Sequence, residues 1–316
     1  MEGCLLSREG VQFVLSHRRQ VLGSGATAVV TLLRWQEHKA VLKKMKKGTA
    51  RIFHNELLFL KQLCGAGGAP ELIGVSYEPP LMVLSYRGCR TLLDALQDFS
   101  LTDSLILWLG LEVARCLRQV HALGVVHNDV KNNNVTLLIP QHETQPPQVS
   151  IIDYGLACHT GFSLGFKLAH EADRYFWIAP EVLAGGISTP HSDIFSLGVL
   201  LQEMLFFMRS HRYRSFLAEV AQRAHHQDAT CRPSLEEVVE QLAAGLLALT
   251  STPPLASPPR HSPPILPQYC YSWCTQGSPP NTNLLARCRR LGRTVKAAFY
   301  SLAAKIFCCV TESLTD

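Results

Sequence analysis

Residues 125–135 read VVHNDVKNNNV. Two valines lead into a histidine, one carboxylate (Asp129), one ammonium (Lys131) and three consecutive amides. A solvated turn could carry these residues for solubility alone; a reacting site needs partners for them elsewhere in the chain. Asp129 could accept a proton from a hydroxyl, Lys131 could neutralise a phosphate, and Asn134 offers a carbonyl oxygen to a hard cation such as Mg²⁺. Nineteen residues after Asn134, VSIIDYG ends a buried-looking strand with Asp153 ahead of a turn glycine, a second oxygen donor.

Upstream, VLGSGATAVV (21–30) sets Gly23 and Gly25 between two β-like runs, where backbone turns tightly or approaches something bulky. AVLK follows, ending in Lys43, whose stem can pack in a strand while its ammonium enters a cleft or snorkels to water. Glu56 lies on the apolar run IFHNELLFLKQL, where an inward carboxylate requires a partner.

FVLSHRRQVL, AVVTLLRW, KAVLKKM and LMVLSY read as short strands. From Thr91 the pattern turns helical, with SLILWLGLEVARCLRQVHALG closed by Gly124. Paired strands near 133–139 and 149–152 follow, then helices near 190–209, 213–224 and 234–249. The expected fold is α+β and two-lobed: a small β-rich lobe with one main helix (15–86) after an N-terminal segment (1–14), and a larger helical lobe (88–250). The cleft between them is the expected ligand site.

Taken together, GSGATAVV (23–30), AVLK (40–43), HNDVKNNN (127–134), DYG (153–155) and APE (179–181) resemble the motifs of the eukaryotic protein kinase family, serine/threonine type, as a divergent member. SDIFSLGV (192–199) is similar to the family's D-x-W-S-x-G helix start, and Arg232 stands where the family's arginine pairs with the glutamate of A-P-E. The resemblance covers about residues 15–250. It implies ATP and Mg²⁺ as cofactors and a protein hydroxyl, serine or threonine, as acceptor. By position it implies that Leu22, Gly23, Ser24, Gly25, Ala26, Thr27 and Ala28 cover the nucleotide. Val30, Val41, Leu84, Ser85 and Tyr86 would line its site, and Lys43, held by Glu56, would meet the α- and β-phosphates. Asp129 and Lys131 are the implied catalytic pair, Asn134 and Asp153 the metal ligands, and His127, Glu181, Asp193 and Arg232 structural residues. The alternative is a pseudokinase-type module that binds ATP in the same cleft without transfer; a small-molecule phosphotransferase is a more distant third.

Several positions depart from the family pattern. Asn128 replaces the arginine that pairs with an activation-loop phosphate, which implies that this chain is not switched on that way. Ala28 replaces a glycine, Tyr154 a phenylalanine, and Thr136 the apolar residue beneath the adenine. In DRYFWIAPE (173–181), Arg174 replaces a threonine that helps hold the catalytic aspartate and lysine.

With 316 residues and 47% hydrophobic composition, the chain can bury the core of a two-lobed domain. Of 30 basic and 25 acidic residues, seven and two fall in 251–316, so residues 1–250 balance at 23 each and the tail carries the whole excess. The eleven cysteines show no regular spacing, and charges interrupt the start of the chain. Reduced thiols in a cytoplasmic protein without signal peptide or membrane span are therefore expected. Gly3 lies one place too late for N-myristoylation.

Residues 251–283 read as a proline-rich linker, since 251–280 hold nine of the 18 prolines. Ser257, Ser262 and Ser278 precede Pro-Pro there, and PPILP fits a polyproline groove or a plain spacer. Residues 284–310 read as a basic amphipathic helix, followed by the end segment 311–316. Leu291, Val295, Phe299, Leu302 and Ile306 share one face, and Arg289, Arg290, Arg293, Lys296 and Lys305 the other. That helix either packs on the domain or lies on an anionic membrane, with Cys308 and Cys309 as acylation sites. No nucleic-acid partner is expected.

Overall fold

The computed structural model describes residues 4–97, 101–140 and 146–250. The linker, amphipathic-helix, acylation and phosphoacceptor readings of the tail lie outside the described residues.

The chain opens on a helix, α1 (Arg8–Ser16), where the sequence pattern predicts a strand from Phe13. Ser7 caps it by accepting from the Gly10 N–H. Val11, Val14 and Leu15 share one helical face, and that face settles onto Leu33, Ala40, Leu42, Leu81 and Val83 of a sheet. The helical period of those three residues outweighed the local β propensity.

β1 (Arg18–Ser24), β2 (Ala28–Trp35) and β3 (His38–Met45) form an antiparallel meander, then α2 (Ala50–Leu63) crosses to β4 (Leu72–Tyr77) and β5 (Pro80–Ser85). The sheet order is β1-β2-β3-β5-β4. Gln36 and Glu37 join β2 to β3 with φ of 44° and 68°, the left-handed pair that a two-residue hairpin with native twist requires.

The second lobe starts with β6 (Arg90–Thr91), α3 (Leu92–Gln97) and α4 (Asp103–Ala122). β7 (Val125–Val126), β8 (Val135–Leu138), β9 (Gln148–Ile151) and β10 (Cys158–His159) then make two small sheets, β6-β8-β9 and β10-β7. α5 (Pro180–Leu183), α6 (Pro190–Leu205), α7 (His211–Ala224) and α8 (Leu235–Thr250) complete it. This is the expected α+β, two-lobed architecture.

α6 is the axis of the larger lobe, with eleven buried residues. A Cβ on its Gly198 would come within 2.6 Å of the His225 nitrogen, so glycine lets the end of α7 lie directly against α6. α6 stops at Leu205, short of the expected 209, because Asp103 captures the backbone N–H groups of Arg209 and Ser210 at 3.0 and 2.6 Å. No helix among the described residues is long and apolar enough to cross a membrane. The six described cysteines are all unpaired thiols.

Candidate active site

β3 alternates: Leu42 faces the α1 side, while Val41 and Lys43 face the other lobe. Lys43 pairs across the ladder with Val30 and Met82, which bury its stem to 6% exposure. Its Nζ donates to both Glu56 oxygens at 2.6 Å and to Asp153 Oδ1 at 3.1 Å. Glu56 is 2% exposed on the inward face of α2. Burial disfavours the Lys43 ammonium, but Asp153 and Glu56 outweigh it and hold the lysine charged well above its ordinary range. Burial likewise opposes charge on Asp153, and Lys43 with Lys131 reverses that, leaving its carboxyl below the usual range.

The turn above this cluster is built by its own backbone. Gly25 N–H donates to the Ala28 carbonyl at 2.9 Å, and Lys46 N–H to the Thr27 carbonyl at 2.8 Å, while Lys46 Nζ reaches the Gly25 carbonyl. Leu22, Gly23 and Ser24 close β1, with Gly23 opposite Val30. Ala26 lies in the turn and Ala28, opening β2, is buried. At the far side, Val41 pairs with Leu84 and Ala40 with Ser85, where the chain leaves the sheet toward Tyr86. Burial and the neighbouring Cys89 thiol push the Tyr86 phenol up to about 12.

The segment 127–134 hangs from Asp193, which is fully buried near the start of α6. Its Oδ2 and Oδ1 accept from the backbone N–H groups of His127 and Asn128 at 2.7 and 2.8 Å, and His121 Nε2 lies 2.9 Å from Oδ2. Burial would raise this carboxyl, but the bonds it accepts, from His121 first and from the His127 backbone N–H, keep it below the ordinary range. His127 Nδ1 accepts from the Asp129 N–H at 3.1 Å, so Nε2 carries the proton donated to the Ile152 carbonyl at 3.2 Å. Asn128, at φ 62°, turns its amide inward to the Leu156 carbonyl and the Cys158 sulfur, both at 3.2 Å.

Asp129 is the hub. Lys131 Nζ donates to Oδ1 and Oδ2 at 2.6 and 2.7 Å, Asn134 Nδ2 to Oδ2 at 2.8 Å, and Trp177 Nε1 to Oδ1 at 2.9 Å. The Asn134 amide nitrogen is thus committed to Asp129, which leaves its carbonyl oxygen for a cation. The Asn134 backbone carbonyl accepts from Ile152 N–H at 2.8 Å, so Asn134 and Asp153 sit at neighbouring ends of the β8–β9 hairpin. One carboxylate and one amide oxygen are a donor set that suits Mg²⁺, which takes few protein ligands and completes its shell with phosphate and water.

Behind Asp153, Tyr154 is fully buried with its ring 4.7 Å from that of His127, and its hydroxyl has no hydrogen-bond partner among the described residues. The Thr136 hydroxyl is likewise buried without one. Asn55 of α2 donates to the Gly155 and Ala157 carbonyls at 3.0 and 2.8 Å, tying helix and segment together. Farther out, Arg232 grips Glu181 through two parallel bonds of 2.7 and 2.8 Å, and Arg174 pairs with Glu171 at 3.2 Å. Trp177, Asn55 and His121 were not singled out from the sequence. The one available signal was Trp177, since a buried indole N–H needs an acceptor.

The family model described as protein kinase domain matches residues 16–252. Among curated relatives, cyclic GMP-binding protein C of Dictyostelium discoideum is 30% identical over 170 residues, 52% of this chain and 6% of that protein. The probable serine/threonine-protein kinase roco9 of the same organism is 24% identical over 267 residues, 73% of this chain and 8% of its own length. Human mitogen-activated protein kinase kinase kinase 11 is 28% identical over 179 residues, 54% of this chain and 20% of its own. The chain thus spans a small part of each of these relatives.

Proposed function

The chain belongs to the protein kinase domain family, and from that premise we propose that it transfers the γ-phosphoryl group of ATP to a serine or threonine hydroxyl of a protein. The observation that carries this reading is the pair of linked clusters: Lys43 with Glu56 and Asp153, and Asp129 with Lys131 and Asn134. In it, Lys43 binds the α- and β-phosphates under the turn at residues 24–28. Asn134 and Asp153 hold Mg²⁺, which when bound supplies positive charge against the crowded phosphate oxygens.

Lys131 leaves Asp129 for the γ-phosphate when the nucleotide arrives. Asp129 then orients the substrate hydroxyl and takes its proton as the new oxygen–phosphorus bond forms and the bond to the β-phosphate oxygen breaks. Asn128 supports activity without a phosphorylated segment, because it ties the catalytic loop to Leu156 and Cys158 directly.

The test is transfer from radiolabelled ATP by the wild type beside Lys43→Met and Asp153→Asn, followed by phosphosite mapping. Mg²⁺-dependent label lost in both variants is the expected result. A wild type that binds ATP yet labels neither itself nor a peptide panel would replace this reading with the binding-module one.

For location, the reading is a cytoplasmic enzyme whose basic segment 284–310 meets anionic membrane. It is supported by five cationic residues whose spacing would place them together if the stretch is helical, and by the absence of any acidic residue in it. Liposome co-sedimentation with and without acidic lipid should separate the full chain from a 1–283 truncation; equal binding by both would remove the idea.

A further inference from the structure

Asp129 accepts four hydrogen bonds. Oδ1 takes Lys131 and Trp177, and Oδ2 takes Lys131 and Asn134. A carboxylate offers about four lone-pair positions, so an incoming hydroxyl must displace one donor. The donors differ in how easily they leave. Lys131 has a flexible stem and a side chain 14% exposed. Trp177 is 4% exposed, and its indole is wedged edge-on against the Tyr175 and Phe176 rings, at 6.2 and 5.3 Å. Its single N–H also points in one fixed direction, where an ammonium rotates. Lys131 Nζ lies 4.9 Å over the same ring, a cation–π contact.

We infer that Trp177 is the positioning residue of the Asp129 carboxylate. With Lys131 gone to the phosphate, Trp177 on Oδ1 and Asn134 on Oδ2 fix the rotation of the carboxylate and leave one lone pair of each oxygen open to the hydroxyl. This places on an indole the grip that the family pattern gives to the threonine replaced by Arg174. The inference rests on the phosphotransfer reading, and its test separates the two.

Trp177→Phe keeps an apolar ring and removes the N–H; Trp177→Met removes it with an apolar side chain should phenylalanine unfold the segment. The full chain holds four tryptophans, so its ¹⁵N-indole spectrum is simple enough to assign by that variant. The indole signal missing from the variant should be the one that moves in Asp129→Asn, nucleotide-free. In the transfer assay, kcat should fall by about tenfold to a hundredfold while KM for ATP changes by less than about twofold, the split expected of a group that aims a catalytic residue. An indole signal unmoved by Asp129→Asn, or a variant with wild-type kcat, overturns the inference. A silent wild type would instead remove the phosphotransfer reading, and the indole shift would still decide whether Trp177 grips Asp129.

Discussion

Lys43 Nζ lies 2.6 Å from both carboxylate oxygens of Glu56, thirteen residues away on a different element. A single strand-to-helix contact therefore decides whether α2 turns a carboxylate into the cleft or leaves it stranded. Removing the cation alone strands the buried Glu56 carboxylate beside the like charge of Asp153, whose side chain is 39% exposed. Lys43→Met should destabilise the fold by about 3–5 kcal/mol, and Lys43→Met/Glu56→Met should recover much of that loss. Urea-unfolding midpoints of the two single variants and the double measure the coupling; additive losses would mean that the pair is not coupled.

Arg232 spends every donor of its guanidinium. Besides the two bonds to Glu181, Nε donates to the His226 carbonyl at 2.7 Å, and the terminal nitrogens donate to His191 and Gln227 carbonyls at 2.8 and 3.0 Å. Lysine has neither the fork nor the five donors that join α5, the start of α6 and residues 226–227. Arg232→Lys should therefore cost about 2–4 kcal/mol in chemical denaturation, much as a neutral residue would.

Glu203 on α6 predicts a pH dependence of stability. Burial pushes its carboxyl from 4.5 up to about 7, against the bond it accepts from Asn132. The folded chain then binds this proton more tightly than the unfolded one, so the contribution is full below about 4.5 and lost as pH rises through about 7. Glu203→Gln keeps an acceptor for Asn132 and removes the charge. It should flatten the stability profile between those values and stabilise the protein by on the order of 1–2 kcal/mol at pH 8. Asp153 carries the opposite sign: its lowered pKa stabilises above the ordinary carboxylate range, and that part is lost as pH falls through the lower folded value.

Asn128 sits at φ 62° with its side-chain oxygen buried and without a hydrogen-bond partner among the described residues. Glycine relieves both the backbone and the orphaned oxygen; alanine relieves only the second and adds left-handed strain. Asn128→Ala should thus be less stable than Asn128→Gly by about 1 kcal/mol, though alanine is the smaller truncation. Equal thermal midpoints would contradict the backbone argument.

Short-range pattern carried much of this reading. Short apolar runs marked β2, β3 and β5, a long apolar period marked α4, and the motif residues named the polar groups of the site. The pattern misled where two signals competed in a few residues: at Phe13–Ser16 a helical face won over β propensity, because a sheet lay waiting to receive Val14.

The kinds of side chain available to this protein, and the order in which they come, follow from the chain itself, since motif spacing and hydrophobic period are local properties. Which of them meet does not. Lys43 and Asp153 are 110 positions apart, His121 and Asp193 72, and Asp129 and Trp177 48. Those pairings form when two lobes and one buried helix pack, because hydrogen bonds form at about 3 Å and sequence distance says nothing about that scale.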